Sequence, residues 1–285
     1  MSFSRIVVNK NEIVSESTYD AHYRDLTGKY AINILSSGQA SYTIGKRQLT
    51  LFPGSFIFLN HDTSYSNKID SAVQVNTFSV LFDPDFVRDF EYSVVAKTST
   101  LLDCFACDKN GKPLFVESIY PLQGDMRFTL SHLKKHIDNG MDDQLLLSEY
   151  LHHCLLNYYD LYHSEVTDRE ASLKFLNKST KSEILKRLSI AKDYIISNYN
   201  KNIRLEDIAQ MACLSVNHLL RTFKQAYHQS PHQFLTNFRL QQAKYYLKNT
   251  DYPINEIVDI VGFECPSSFI RLFKNSFKIT PGKYR

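Results

Sequence analysis

The chain has 285 residues, 43% hydrophobic and 22% charged, with a formal net charge of +3. This is the composition of an ordinary globular protein, long enough for two domains that each bury a core. It has no apolar run that would span a bilayer and no secretory h-region near Met1, and its five cysteines, an odd number, argue against a disulfide framework, so a reducing, cytoplasmic setting is expected.

The charge is unevenly divided. Residues 182–285 hold 15 Lys+Arg against 8 Asp+Glu, whereas the remainder holds 18 against 22. A basic C-terminal piece beside a mildly acidic N-terminal one points the former alone at a polyanion.

In chain order, β-rich runs come first: Tyr30 to Leu35, Ser41 to Ile44, Gln48 to Phe52, Ser55 to Leu59 and Val75 to Phe82. Ser36-Ser37-Gly38, Gly45-Lys46 and Pro53-Gly54 supply turns between them. Short strands so spaced predict an antiparallel sandwich or barrel. Tyr23, Arg24, Asn33, Tyr42, His61 and Tyr65, polar or amphipathic side chains in or beside these runs, are candidates to line an effector pocket. A further small β segment is expected around Leu101 to Phe115. Within it Cys104 and Cys107 form a C-x-x-C ahead of the turn signal Asp108-Lys109-Asn110-Gly111. With no second pair at zinc spacing, these read as hairpin cysteines, and neither metal nor cofactor is predicted.

Helical periodicity follows, over Met126 to Ile137 and Asp143 to His163. In the second, Leu147, Tyr150, Leu151, Cys154, Tyr158 and Leu161 recur every three or four residues. This stripe fits packing on the chain's own barrel or contact with a second copy. Leu147, Leu151, Cys154, Tyr158 and Leu161 are therefore the candidate residues of a homodimer contact. Residues 166–181, polar and mixed in charge, read as a linker between domains over 1–165 and 182–285.

The C-terminal piece contains a duplication. Ile208-Ala-Gln-Met-Ala-Cys-Leu aligns with Ile257-Val-Asp-Ile-Val-Gly-Phe, and Arg221, Phe223, Lys224, Tyr227 and Pro231 align with Arg271, Phe273, Lys274, Phe277 and Pro281. Each copy reads as a short helix, a tight turn and a second helix with an Arg-x-Phe-Lys core, the helix-turn-helix layout. Ser215 is placed to cap one such helix, Gly262 to end another, and Pro266 to open the next. Pro231 to Lys248 forms a continuous helical connector, able to hold two reading helices about one DNA turn, roughly 34 Å, apart.

Arg221 and Arg271 lie two residues before the expected core residues Phe223 and Phe273 and so face outward. Their forked guanidinium can bond guanine O6 and N7 together. Asn217, His218 and Ser267 are next in reach of bases or phosphates; Lys224 and Lys274 suit phosphates, and Leu220 a thymine methyl.

The stretch Gly262-Phe-Glu-Cys-Pro-Ser-Ser-Phe-Ile-Arg-Leu-Phe-Lys274, with Thr280-Pro-Gly-Lys-Tyr-Arg285, resembles the DNA-binding domain of the AraC/XylS family of bacterial regulators over about residues 184–285. The resemblance implies two helix-turn-helix units on double-stranded DNA, with Asn217, Leu220 and Arg221 facing bases in the first and Pro266, Ser267, Ile270 and Arg271 in the second. Pro266 and Ile270 stand where many relatives carry polar side chains, which implies a second helix that touches mostly backbone. The N-terminal half, through Leu51-Phe-Pro-Gly-Ser-Phe56 and its strands, is more loosely similar to the family's cupin-like sensor domain. The fold class implied is α+β in two domains, a cupin-like antiparallel β-barrel with helices followed by an all-α domain. The implied function is a sequence-specific transcription regulator, homodimeric, responsive to an effector and in contact with RNA polymerase.

The rival is a metal-dependent cupin enzyme with a DNA-binding tail. Such sites place His-x-His soon after a glycine, but Gly38 is followed by Gln39, Ala40, Ser41, Tyr42 and Thr43. The expectation is a protein without catalytic activity.

Overall fold

In the computed structural model, residues 2–95, 106–107, 113–140, 142–175 and 177–285 are described. They form two compact units that divide between Asp168 and Arg169, the first built on an antiparallel sheet with helices and the second on helices. Cys104 and the turn Asp108 to Gly111 lie outside the described residues.

The strands are β1 (Ser2–Val8), β2 (Asn11–Leu26), β3 (Tyr30–Ser37), β4 (Ala40–Ile44), β5 (Arg47–Leu51), β6 (Ser55–Leu59) and β7 (Tyr65–Phe82). After helix α1 (Pro84–Val95) come the short β8 (Ala106–Cys107) and β9 (Pro113–Leu114), which pair with each other, and β10 (Ile119–Pro121). The 18-residue β7 organises the sheet. Its second half lies between β2 and β3, and its first half between β2 and β4. Gly38 makes the β3–β4 turn possible: at φ +74° an added Cβ would stand 2.6 Å from Val75 Cγ2. The exchange of neighbours along β7 rolls the sheet without closing it. Among the described residues β1, β5 and β10 each pair on one side only, so the expected barrel is open, because the β4–β5 hairpin hangs from β7 and forms no ladder with β6 or β10.

Strands β3 and β6 are buried almost throughout, as strands covered on both faces must be. One face carries Ile13, Tyr30, Ile32, Phe56, Phe58, Phe78 and Val80 and packs on α1, α2 (Gly124–Asp138) and α3 (Gln144–His163). Asp143 caps α3 by accepting from Leu145 N and Leu146 N. The rings of Phe58 and Tyr158 stack at 3.8 Å, 4° from parallel. Leu147, Leu151, Cys154 and Tyr158 are thus consumed inside their own chain, and Leu161 packs half-buried against the same core. The stripe chosen as a dimer contact is core, since its width and aromatic content match the sheet face beneath it.

Helix α3 runs into a π-helical turn at Ser164–Asp168, which ends the first unit. The second unit comprises α4 (Arg169–Ser172), α5 (Lys178–Ser197), α6 (Leu205–Met211), α7 (Val216–Tyr227), α8 (Pro231–Asn249), α9 (Ile254–Ile260), α10 (Pro266–Phe277) and α11 (Pro281–Tyr284). Within 166–181, α4 lies inside the stretch expected as a linker and α5 begins before its end.

The duplicated segments share their local geometry. After α6, Cys213 adopts φ +51°, with Leu214 N bonded to Ala209 O and Cys213 N to Gln210 O. After α9, Gly262 adopts φ +82°, with Phe263 N bonded to Val258 O and Gly262 N to Asp259 O. These paired bonds satisfy the last carbonyls of each helix through a left-handed residue. The helices that follow end alike, on His228 at φ +55° and Lys278 at φ +65°. Gly262 is further constrained, because a Cβ there would stand 2.8 Å from the backbone oxygen of Asn200.

Leu151→Asp, tolerable on a surface, is expected here to unfold the first unit, seen as loss of its sheet signal in circular dichroism. Tyr158→Ala is expected to cost about 3 to 5 kcal/mol in urea unfolding, because it removes a fully buried ring from a stack.

Candidate nucleic-acid interface and sheet cavity

Helix α7 buries Leu219, Thr222, Phe223, Ala226 and Tyr227. Phe223 stacks on Tyr227 at 4.3 Å and meets Phe234 of α8 edge-on at 5.7 Å. With that side pinned, Asn217, Arg221 and Lys224, at i, i+4 and i+7, form an exposed stripe, with Leu220 half-exposed beside it. Ser215 starts the helix by accepting from His218 N.

Helix α10 repeats the arrangement. Phe269 and Phe273 are fully buried, while Pro266, Ser267, Ile270, Arg271 and Lys274 are exposed. Among the described residues no ion pair engages Arg221, Lys224, Arg271 or Lys274, so these cations are unclaimed by their own protein. His218 differs from the sequence expectation. It is half-buried, edge-on to Phe175 at 6.1 Å, with its Nε2 buried and unpartnered, to one side of the exposed stripe.

In the first unit the concave side of the rolled sheet holds a cavity of about 370 Å³. Of the six candidates, Tyr23, Asn33 and Tyr65 line it. Tyr42 is buried behind Tyr65, with ring centroids 6.3 Å apart; His61 is buried against Tyr30 at 5.0 Å; Arg24 is exposed elsewhere.

The sequence reading missed most of the charged lining, which comes from β1, β2 and the loop after β2. Arg5 Nε stands 2.8 Å and Lys29 Nζ 2.6 Å from the two carboxylate oxygens of Glu12. Burial raises the Glu12 pKa, but the bonds from Arg5 and Lys29 outweigh it and hold the group below the usual carboxylate range. The Tyr23 hydroxyl donates to Glu16 at 2.6 Å, a bond that with burial pushes its pKa up to about 12. Ser79 Oγ donates to Asn33 Oδ1 at 2.6 Å. Burial raises the Tyr65 pKa and the Asn33 amide beside it works against that, although Asn33 Nδ2 has no partner in hydrogen-bond geometry. The side-chain oxygen of Asn67 is likewise buried and unpartnered. Among the described residues no three His, Cys, Asp or Glu side chains gather as a metal site, and no helix is long and apolar enough to cross a membrane.

Residues 208–285 match a family model described as a helix-turn-helix domain. Over 256 residues, 90% of this chain and 84% of the relative, the chain is 25% identical to the Msm operon regulatory protein of Streptococcus mutans. It is 26% identical to the lactose operon transcription activator of Staphylococcus xylosus over 54% of this chain and about half, 51%, of the relative. Among solved structures, a Chromobacterium violaceum transcriptional regulator with an AraC-type DNA-binding domain is 28% identical; the match covers 38% of this chain and 94% of that one, with a TM-score of 0.34. The chain carries an AraC-type helix-turn-helix domain at its C-terminal end. It binds DNA and regulates transcription.

The AraC-type domain also carries an exposed thiol with a lowered pKa. Cys265 precedes Pro266, and its Sγ lies 2.9 Å from Ser267 Oγ. Hydrogen bonds from the Ser267 side chain first, then from Ser268 and both backbones, bring its pKa down to about 7. Burial pushes Cys154 in the first unit up to about 12. Alkylation by iodoacetamide, followed by mass spectrometry, is expected to modify Cys265 with a midpoint near pH 7 and to leave Cys154 untouched in the folded chain.

Proposed function

We propose that this regulator reads two major-groove half-sites through α7 and α10, the second helices of two helix-turn-helix units. The observation that carries the reading is the shared two-sidedness of these helices, with Phe223 and Phe273 buried and Arg221, Lys224, Arg271 and Lys274 exposed and unpaired. Asn217, Leu220 and Arg221 in the first unit, and Ser267 and Arg271 in the second, are assigned to bases. Pro266 and Ile270 pack against the groove wall, and Lys224 and Lys274 hold phosphates. His218 is assigned to the helix's own support instead of to DNA.

The rolled sheet is read as a cupin-like sensor whose cavity takes a sugar. Its fixed charges, Arg5 and Lys29 against Glu12 and Glu16, balance, which favours a neutral ligand over an organic anion. The buried amides of Asn33 and Asn67 offer hydrogen bonds, and Tyr23 and Tyr65 offer ring faces. The activator of a lactose operon among the relatives supports the same class. In this reading the chain is a homodimer without catalytic activity. Its contact between copies uses exposed residues of the helical layer such as Phe128, Leu145 and Leu156, not the buried stripe of α3. Contact with RNA polymerase, implied by the family, belongs to the same reading.

Fluorescence anisotropy of the full chain against operator DNA found by random-site selection tests the first part. Binding is expected to weaken steeply with salt, as phosphate contacts require. Arg221→Ala should cost about 1 to 3 kcal/mol on the operator and relax one base position, whereas Lys224→Ala should weaken all sequences alike. Equal losses on operator and random DNA for Arg221→Ala would return that residue to the phosphate backbone.

For the cavity, a panel of mono- and disaccharides that includes lactose is expected to raise the thermal midpoint of the full chain. Asn33→Leu should abolish the shift, and a shift unchanged in that variant would place the sugar elsewhere.

A further inference from the structure

Helix α4 and the three residues after it, 173–175, lie along the first reading helix. The Arg169 guanidinium sits 4.1 Å over the Tyr227 ring at the end of α7. Leu173 is 1% exposed. Lys174 N donates to Gln225 Oε1 at 3.4 Å, and Phe175 meets the His218 ring edge-on near the start of α7. Residues 169–175 thus run antiparallel to α7, touching its flank at positions 218 and 225 and the buried Tyr227 ring at its end. This flank adjoins the stripe of Asn217, Arg221 and Lys224 without covering it. Arg187 of α5 ties down the turn before α7 through Cys213 O at 2.8 Å.

We propose that Arg169 and Phe175 are positioning residues for DNA reading, and that the strap 169–175 fixes the rotation of α7 about its own axis and so the reach of Arg221. The inference rests on the reading of α7 as a recognition helix. A forked guanidinium reads a base only when its backbone is held to within roughly half an ångström. The buried side of α7, packed on α5, α6 and α8, sets its depth, and the strap adds a contact on the flank next to the exposed stripe that opposes rolling about the helix axis. Phe175 acts through His218, whose ring it holds off the exposed stripe; Arg169 acts through Tyr227, at the other end.

The test uses the full chain, its selected operator, and versions of that operator scrambled in one half-site at a time. Phe175→Ala and Arg169→Ala are each expected to lose about tenfold in affinity when the α7 half-site is intact and to match the unaltered protein when it is scrambled. Footprint protection at the α10 half-site should persist. Phe175→Tyr, which keeps the ring edge, should restore binding, and Phe175→Ala combined with His218→Ala should lose no more than Phe175→Ala alone. Unaltered affinity, or equal losses on every DNA tested, would overturn the inference and make the strap a tether. Should Arg221→Ala leave the operator affinity unchanged, the reading of α7 itself fails and takes the strap's role with it; should Arg221→Ala weaken binding while the strap variants do not, the strap's role alone fails.

Discussion

A helix that reads another molecule must leave its long polar side chains unclaimed by its own protein, and it can do so only if its opposite side is pinned firmly enough to forgo their help. In this molecule an aromatic residue meets that demand twice. Phe223, stacked on Tyr227, and Phe273, beside Phe269 at 5.6 Å, anchor α7 and α10 from beneath. Much of the second unit serves those anchors: α8 brings Phe234 against one, and Tyr284 of α11 stands 5.6 Å from the other.

The first unit solves a different problem with the same material. Its sheet has one largely apolar face, covered by helices, and one face on which apolar and charged residues share a hollow. Charges inside a rolled sheet are tolerated only when paired. The bridge of Arg5 and Lys29 to Glu12, together with Tyr23 on Glu16, meets that condition, and leaves Asn33 Nδ2 and Asn67 Oδ1 buried without a partner.

This contrast explains what could be read from the sequence. The duplication was legible because its signals are local: Ser215 and Ser230 cap helices by their own side chains, and Gly262 and Pro266 mark a turn through backbone preferences alone. The exposed Arg and Lys residues followed from their spacing relative to Phe223 and Phe273. Strands β1 and β2 were not legible, because their inward positions, Arg5, Glu12 and Glu16, are polar and erase the alternation that marks a half-buried strand. The cavity's charged lining was lost with them. Helix α3 was found in place, but periodicity cannot say what an apolar stripe faces, and the stripe over Leu147 to Leu161 faces its own sheet. The half-burial of His218 was not legible, because its environment comes from Phe175, more than forty residues earlier, and no spacing within α7 encodes it.

The two tight turns, at Cys213 and Gly262, carry a consequence for how the protein can change over generations. Both residues are left-handed, but Cys213 already bears a side chain there and tolerates roughly 1 to 2 kcal/mol of backbone strain. Gly262 has no such latitude, because the backbone of Asn200 occupies the space a side chain would need. Glycine could replace Cys213 and relieve that strain, whereas the reverse exchange at 262 would force two segments apart. The halves of the duplication are therefore unequal in mutational freedom: the first turn accepts either a side chain or none, the second only glycine.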